Sequence, residues 1–248
     1  MHVCVLQSSA VSFERVVASP VELARIFAER LLVRARKVQG EGRRLSLVLP
    51  GGSVAEIFFP LLAGSELEWN GVELFWGDER AVPPNDPESN YWLAETLLLS
   101  RVRVDRARVH QMPADAADLE RAAQSYEAEI VRVLGGPARF DVVLLGVGPD
   151  GHVCSLFPGH PALDVTSRRV VPVMDSPKPP PARLTLTLAA LEGADLFVAA
   201  FGGAKAPVVS EAFVNPDSQL PVARAARNSR HATFLLDQQS AGISAGIA

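Results

Sequence analysis

A chain of 248 residues with 24 basic and 28 acidic side chains has a formal net charge of −4 with histidine neutral. That balance excludes the uniformly basic surface with which nucleic-acid binders displace counterions from phosphates. With 48% hydrophobic and 21% charged residues the composition is that of a folded globular chain, not a disordered one.

No segment approaches the roughly 20 apolar residues of a membrane helix. The opening Met1-His2-Val3-Cys4-Val5-Leu6 lacks the basic start and long apolar run of a secretory signal. The expectation is a cytoplasmic protein with neither membrane nor nucleic-acid partners. The length admits one large α/β domain or two small ones, and with no linker or internal repeat a single domain over 1–248 is expected. Cys4 and Cys154 lie far apart with no zinc-ligand spacing, so both are expected as free thiols and no metal site is expected.

In chain order, Val21, Ala24, Phe27, Ala28 and Leu31 share one helical face. The basic cluster that follows, Arg34, Arg36, Lys37, Arg43 and Arg44, reads as a solvated helix end and loop, since cations favour helix C-termini. An apolar strand over 45–49 runs into Pro50-Gly51-Gly52-Ser53 and a helix from Val54. Two glycines before a helix either let its positive end hold a phosphate or form a plain tight turn, and the residues alone do not choose. A second strand, 72–76, ends in Gly77-Asp78-Glu79-Arg80. Three charged residues after a buried strand are costly unless paired or functional. The Arg80 guanidinium fork suits a phosphate or carboxylate, whereas Ser89 and Asn90 read as caps of the next helix.

Leu119, Ala122, Tyr126, Ile130 and Val133 mark a longer amphipathic helix. The strand over 141–146 then breaks into Gly146-Val147-Gly148-Pro149-Asp150-Gly151-His152, where the glycines permit a sharp loop. Asp150 and His152, two apart across a glycine, are placed to hydrogen-bond, which would set the imidazole tautomer and raise its basicity. After a strand at 170–173, Ser176-Pro177-Lys178-Pro179-Pro180-Pro181 can be neither helix nor central strand and reads as a stiff loop. A strand at 196–201 leads to Gly202-Gly203-Ala204-Lys205. That segment lacks the spacer and Lys-Ser/Thr pair of a nucleotide loop, so Lys205 is read as a point charge for a smaller phosphate. A last strand, 233–236, precedes a small-residue tail, 238–248, expected to fray.

Apolar runs alternating with amphipathic stretches predict a mainly parallel, doubly wound α/β sheet with helices on both faces. In such sheets ligands bind beyond the carboxyl ends of the strands. Glycine-rich strand ends, an arginine and a lysine, with Asp150 and His152 for proton transfer, fit a small phosphorylated sugar.

The motifs carry more than their spacing does. The segments Pro50-Gly51-Gly52-Ser53, Gly77-Asp78-Glu79-Arg80 with Val82-Pro83 and Ser89-Asn90-Tyr91, Leu145 through His152 with Ser155-Leu156-Phe157-Pro158, Asp175 through Pro180, and Arg183-Leu184-Thr185-Leu186-Thr187 resemble, in order, those of the 6-phosphogluconolactonases. The resemblance implies hydrolysis of 6-phospho-glucono-1,5-lactone in the oxidative pentose phosphate pathway, without metal or organic cofactor. It also implies the Rossmann-like sheet that this family shares with glucosamine-6-phosphate deaminases. By position, His152 would be the acid/base with Asp150 and Asp78 beside it. Gly51, Gly52, Ser53, Arg80, Arg183 and Lys205 would hold phosphate or sugar hydroxyls. Val153 and Cys154 depart from the family's usual residues and are expected to affect packing only.

A serine nucleophile is not expected, since Gly-x-Ser-x-Gly is absent. The related deaminases use a glutamate where this chain has Phe157, which argues against that activity. A sugar-phosphate sensor would carry a DNA-binding helix-turn-helix, for which the chain has no room. The oligomeric state is not written in the sequence; a monomer is the expectation.

Overall fold

The computed structural model describes residues 13–243; Cys4 and the opening residues, like 244–248, lie outside them. Six strands, β1 (Glu14–Val17), β2 (Leu45–Leu49), β3 (Val72–Trp76), β5 (Val142–Gly146), β8 (Asp195–Ala200) and β9 (His231–Leu236), form an entirely parallel sheet in the order β1-β9-β8-β5-β2-β3. Three short strands, β4 (Asp78–Arg80), β6 (Val170–Val173) and β7 (Arg183–Leu186), make a separate antiparallel sheet in the order β4-β7-β6.

The helices are α1 (Pro20–Gly40), α2 (Gly52–Ala63), α3 (Asn90–Leu97), α4 (Leu119–Leu134), α5 (Leu188–Leu191), α6 (Ala206–Val214) and α7 (Pro221–Asn228). Neighbouring strand residues point to opposite faces, and the aromatic contacts show both faces covered. Phe197 of β8 meets Phe27 of α1 with ring centres 5.0 Å apart. Phe234, whose partner in β8 is the next residue, Val198, meets Phe213 of α6 at 4.7 Å on the other side. On that second face Tyr126 of α4 accepts a hydrogen bond from the Trp76 amide at 2.9 Å and donates to the His110 carbonyl at 3.0 Å, fastening α4 to β3. The sheet is therefore doubly wound, as the alternation predicts.

Three expectations are corrected. The strand at 170–173 is present but belongs to the small antiparallel sheet, where β6 is an edge strand and so accommodates Pro172, which has no N–H to donate. The tail expected to fray from Gln238 is seated as far as Ile243: Ser240 is buried, and its hydroxyl donates to the Ala200 carbonyl at 2.6 Å. Nor is the basic cluster simply solvated. Arg34 reaches Asp141 at 3.1 Å and Asp195 at 3.2 Å, and Arg43 also reaches Asp141, at the amino edge of the sheet.

At the opposite, carboxyl edge the chain reverses direction across the sheet. From β2 it moves to one neighbour, β3, and later resumes on the other side with β5. The crevice between the ends of β2 and β5 is the topological switch point at which open α/β sheets bind ligands. The small sheet springs from that edge. Gly77 joins β3 to β4 directly, and its carbonyl accepts from the Leu186 amide of β7 at 2.8 Å.

Candidate active site

A cavity of about 270 Å³ opens at this switch point. Gly51, Gly52, Ser53 and Val54 form its floor beyond β2, and Leu145 through Pro149 with His152 form the wall beyond β5. The small sheet and its loops contribute Asp78, Arg80, Lys178 and Arg183, and Lys205 closes the far side. Gly51 caps α2 without a side-chain acceptor, so the first amides of this 12-residue helix lack intrahelical partners beside the cavity. Gly51 is required by close approach: a Cβ there would overlap the side-chain amide of Asn90.

Asp150 and His152 are in direct contact, with Nδ1 to Oδ1 at 2.5 Å. The carboxylate accepts from Nδ1–H, which leaves Nε2 as the lone-pair nitrogen. Burial, opposed by the Asp150 carboxylate, holds His152 below the ordinary histidine range. Burial acts the other way on Asp150, yet the contacts with His152 hold its carboxyl below the usual range. The imidazole at neutral pH is thus a base whose tautomer is fixed. Phe157 lays its ring 4.8 Å from that of His152, so the histidine's neighbour there is aromatic and uncharged.

Asp78 lies on the cavity wall with its oxygens engaged by protein donors. Ser155 Oγ donates to it at 2.6 Å, Asn90 Nδ2 lies at 3.3 Å, and Arg183 Nη1 stands 3.8 Å away. It is an organiser of neighbouring side chains more than a free base. Arg183, expected among the ligand holders, donates through Nε and Nη2 to the carbonyls of Pro180, Pro179 and Lys178 at 3.1–3.2 Å and through Nη1 to Ser155 Oγ at 3.4 Å. Its main visible task is to clamp the 178–180 loop. Arg80 donates to the Glu88 carbonyl, and its buried Nε has no protein partner. Burial and then the Lys178 ammonium, opposed by Asp237, hold Lys205 below the ordinary lysine range. Burial and the Asp78 charge push the Cys154 thiol up, so this cavity-lining sulfur stays protonated.

Besides Lys178, which lines the cavity from a loop read only as stiff, three contributors were missed or misread in the sequence. Ser89 caps α3 as expected, accepting from the Trp92 amide at 3.1 Å, but Asn90 lines the cavity and donates to the Asp78 carbonyl at 2.8 Å. Glu79, only 3% exposed, accepts from the amides of Arg80, Asn90 and Tyr91 and from Ser89 Oγ at 2.7–3.0 Å, closing the loop that carries Arg80. Asp237 accepts from the Gly202 amide at 2.9 Å and so fixes the turn that presents Lys205. Among the described residues no group of three or more His, Cys, Asp or Glu is arranged to hold a metal ion, and no helix is long and apolar enough to cross a membrane.

A hydrogen-bonded Asp–His pair thus sits beside a crevice lined by four cationic side chains at the switch point of a parallel α/β sheet. Residues 18–235 match the family model described as glucosamine-6-phosphate isomerases/6-phosphogluconolactonase. The chain is 38% identical over 233 residues to a 6-phosphogluconolactonase of Streptomyces coelicolor, an alignment that covers 88% of this chain and 89% of the relative. It is 37% identical to that of Rattus norvegicus, with 92% of each chain covered. The solved 6-phosphogluconolactonase of Trypanosoma cruzi superimposes with a TM-score of 0.85 at 28% identity, covering 99% of this chain and 100% of that one. The chain belongs to the glucosamine-6-phosphate isomerase/6-phosphogluconolactonase family.

Proposed function

We propose that this chain hydrolyses 6-phospho-D-glucono-1,5-lactone to 6-phospho-D-gluconate, as a cytoplasmic monomer that uses neither metal nor organic cofactor. The observation that carries the reading is the 2.5 Å contact between Asp150 and His152 beside a cavity lined by Arg80, Lys178, Arg183 and Lys205. Within the family the choice of reaction rests on Phe157, an apolar ring against His152 where ring-opening deamination would need a carboxylate.

A lactone carbonyl is already electrophilic, so hydrolysis needs a base for water and a positive environment for the oxyanion. His152 takes a proton from water through Nε2 as the water oxygen attacks C1. It returns that proton to the ring oxygen as the C1–O bond breaks. Asp150 holds the imidazole and stabilises its charged form. The free amides of α2 at Gly51, Gly52 and Ser53, with Arg80 and Lys205, receive the phosphate, and that remote grip orients C1 against the water. Asp78 and Arg183 keep the walls in place. Neither neighbouring nucleophile competes: Cys154 is a neutral thiol, and the Ser155 hydroxyl is buried and donates to Asp78.

Freshly generated lactone should be consumed well above its spontaneous rate, read by coupled oxidation of 6-phosphogluconate, with no ammonia released from glucosamine 6-phosphate. Ammonia release, or no acceleration by folded protein, would overturn the reading. Arg80→Ala and Lys205→Ala should each raise KM by about 10- to 100-fold with a smaller change in kcat, the scale of a lost charge-assisted hydrogen bond. An unchanged KM in both would place the phosphate elsewhere.

A further inference from the structure

The chain's cations are very unevenly chosen: of its 24 basic residues only Lys37, Lys178 and Lys205 are lysines, and two of those three line the same cavity. Among the described residues arginine, not lysine, supplies the surface ion pairs that do not involve histidine. Lysine differs in being a compact point charge with rotatable donors on a flexible stem, suited to a single oxygen more than to a bidentate fork.

Lys178 is the less understood of the pair. It sits in the proline-rich loop between β6 and β7, half-buried between two exposed prolines, Pro177 and Pro179, so its side chain turns inward where its neighbours face solvent. The loop is held from beneath. The Ser176 hydroxyl donates to the Lys178 carbonyl at 2.9 Å and accepts from its amide at 3.2 Å, and Arg183 Nη2 donates to the Lys178 and Pro179 carbonyls at 3.2 and 3.1 Å. The backbone is thus fixed on both sides, while the ammonium makes no ion pair among the described residues and faces the cavity. Its charge bears on both His152 and Lys205, and all three line the one cavity.

With Arg80, Lys205 and the α2 amides gathered for phosphate, one cation near the imidazole has no assigned partner. We infer that Lys178 is the electrophilic residue of the lactone reaction, its ammonium set against the C1 carbonyl oxygen and the product carboxylate. The inference rests on the proposed hydrolysis. As the water oxygen bonds to C1 and His152 accepts the water proton, the carbonyl π pair moves onto oxygen. Lys178 stabilises that oxyanion without giving up a proton. The pair returns as the C1–ring oxygen bond breaks, His152 protonates the ring oxygen, and the resulting acid ionises to a carboxylate that still faces Lys178.

The test compares Lys178→Met, Lys178→Arg and Lys205→Met in turnover and in binding of two ligands that differ only at C1: 6-phosphogluconate and glucitol 6-phosphate, which has an alcohol in place of the carboxylate. Lys178→Met should lower kcat about 10²-fold, the scale of losing one oxyanion donor, with KM little changed and Lys178→Arg recovering part of the rate. It should weaken 6-phosphogluconate about tenfold and leave glucitol 6-phosphate unaffected, whereas Lys205→Met weakens both. Equal loss of both ligands in Lys178→Met, or loss of neither, would overturn the assignment. The ligand pair reads the position of Lys178 even if the wild-type protein fails to accelerate lactone hydrolysis, so failure of the reaction and failure of the residue's role are separately visible.

Discussion

His152→Gln is expected to lower kcat for lactone hydrolysis by about 10²- to 10⁴-fold, the contribution of a positioned acid–base group, while KM stays nearly unchanged. Glutamine fills the space and still hydrogen-bonds to Asp150, but it has no nitrogen able to accept and return a proton. Steady-state kinetics corrected for spontaneous hydrolysis, together with 6-phosphogluconate binding, provide the check. A large rise in KM at unchanged kcat would make His152 a binding residue instead. The pH profile gives a second reading of the same group. Since burial lowers the His152 pKa despite Asp150, the neutral base persists to lower pH than for an ordinary histidine. The acidic limb of kcat should therefore fall below pH 6.5, the ordinary histidine value. A limb displaced upward would mean that Asp150 outweighs burial.

Gly148→Ala is the second change expected to be severe, although residue 148 does no chemistry. A Cβ at that position would overlap the His152 ring at Cε1 and Nδ1 and crowd Asp150 Oδ1. The pair folds back over the glycine, and the Gly148 amide donates to the His152 carbonyl at 2.9 Å, so the loop cannot simply open. The imidazole must swing away and lose Asp150. We expect kcat to fall nearly as far as in His152→Gln, with only about 1–3 kcal/mol of stability lost, the usual scale of overpacking. The double variant should be little worse than either single one, because both remove the same unit. Near wild-type kcat in Gly148→Ala with an unshifted Tm would show that the ring has another productive position.

These two residues also mark how far the sequence was legible. The Asp150–His152 pair could be read because a glycine-framed loop after an apolar strand brings both side chains to one sheet edge by local geometry alone. The strands of the parallel sheet were readable for a similar reason: buried on both faces, they are apolar runs with few interruptions, such as Ser46 and Glu73. The exception, β1, begins with Glu14 and Arg15, which are held by partners remote in sequence such as Arg30 and the Ala241 carbonyl. The small sheet was hidden for the same cause. Asp78-Glu79-Arg80 has no strand pattern and becomes one only by pairing with 183–185, a hundred residues on. Glu79 and Asn90 were undervalued because the contacts that give them their place lie 11 and 12 residues away in sequence, and Lys178 because only the folded cavity shows which way its side chain turns.

That nonlocality has a consequence for the protein as a folded body. Arg80, Lys178, Arg183 and Lys205 come from segments up to 125 residues apart in sequence and share one cavity, where burial and the neighbouring Lys178 already weigh against the charge on Lys205. Like charges so assembled repel, and the chain gains this arrangement only when both sheets are complete. Any anion that enters relieves the repulsion and binds the native state alone, so by mass action it raises the melting temperature. The site thus works as a tension point that phosphate or product releases, and the protein's apparent stability will follow the anion content of its buffer.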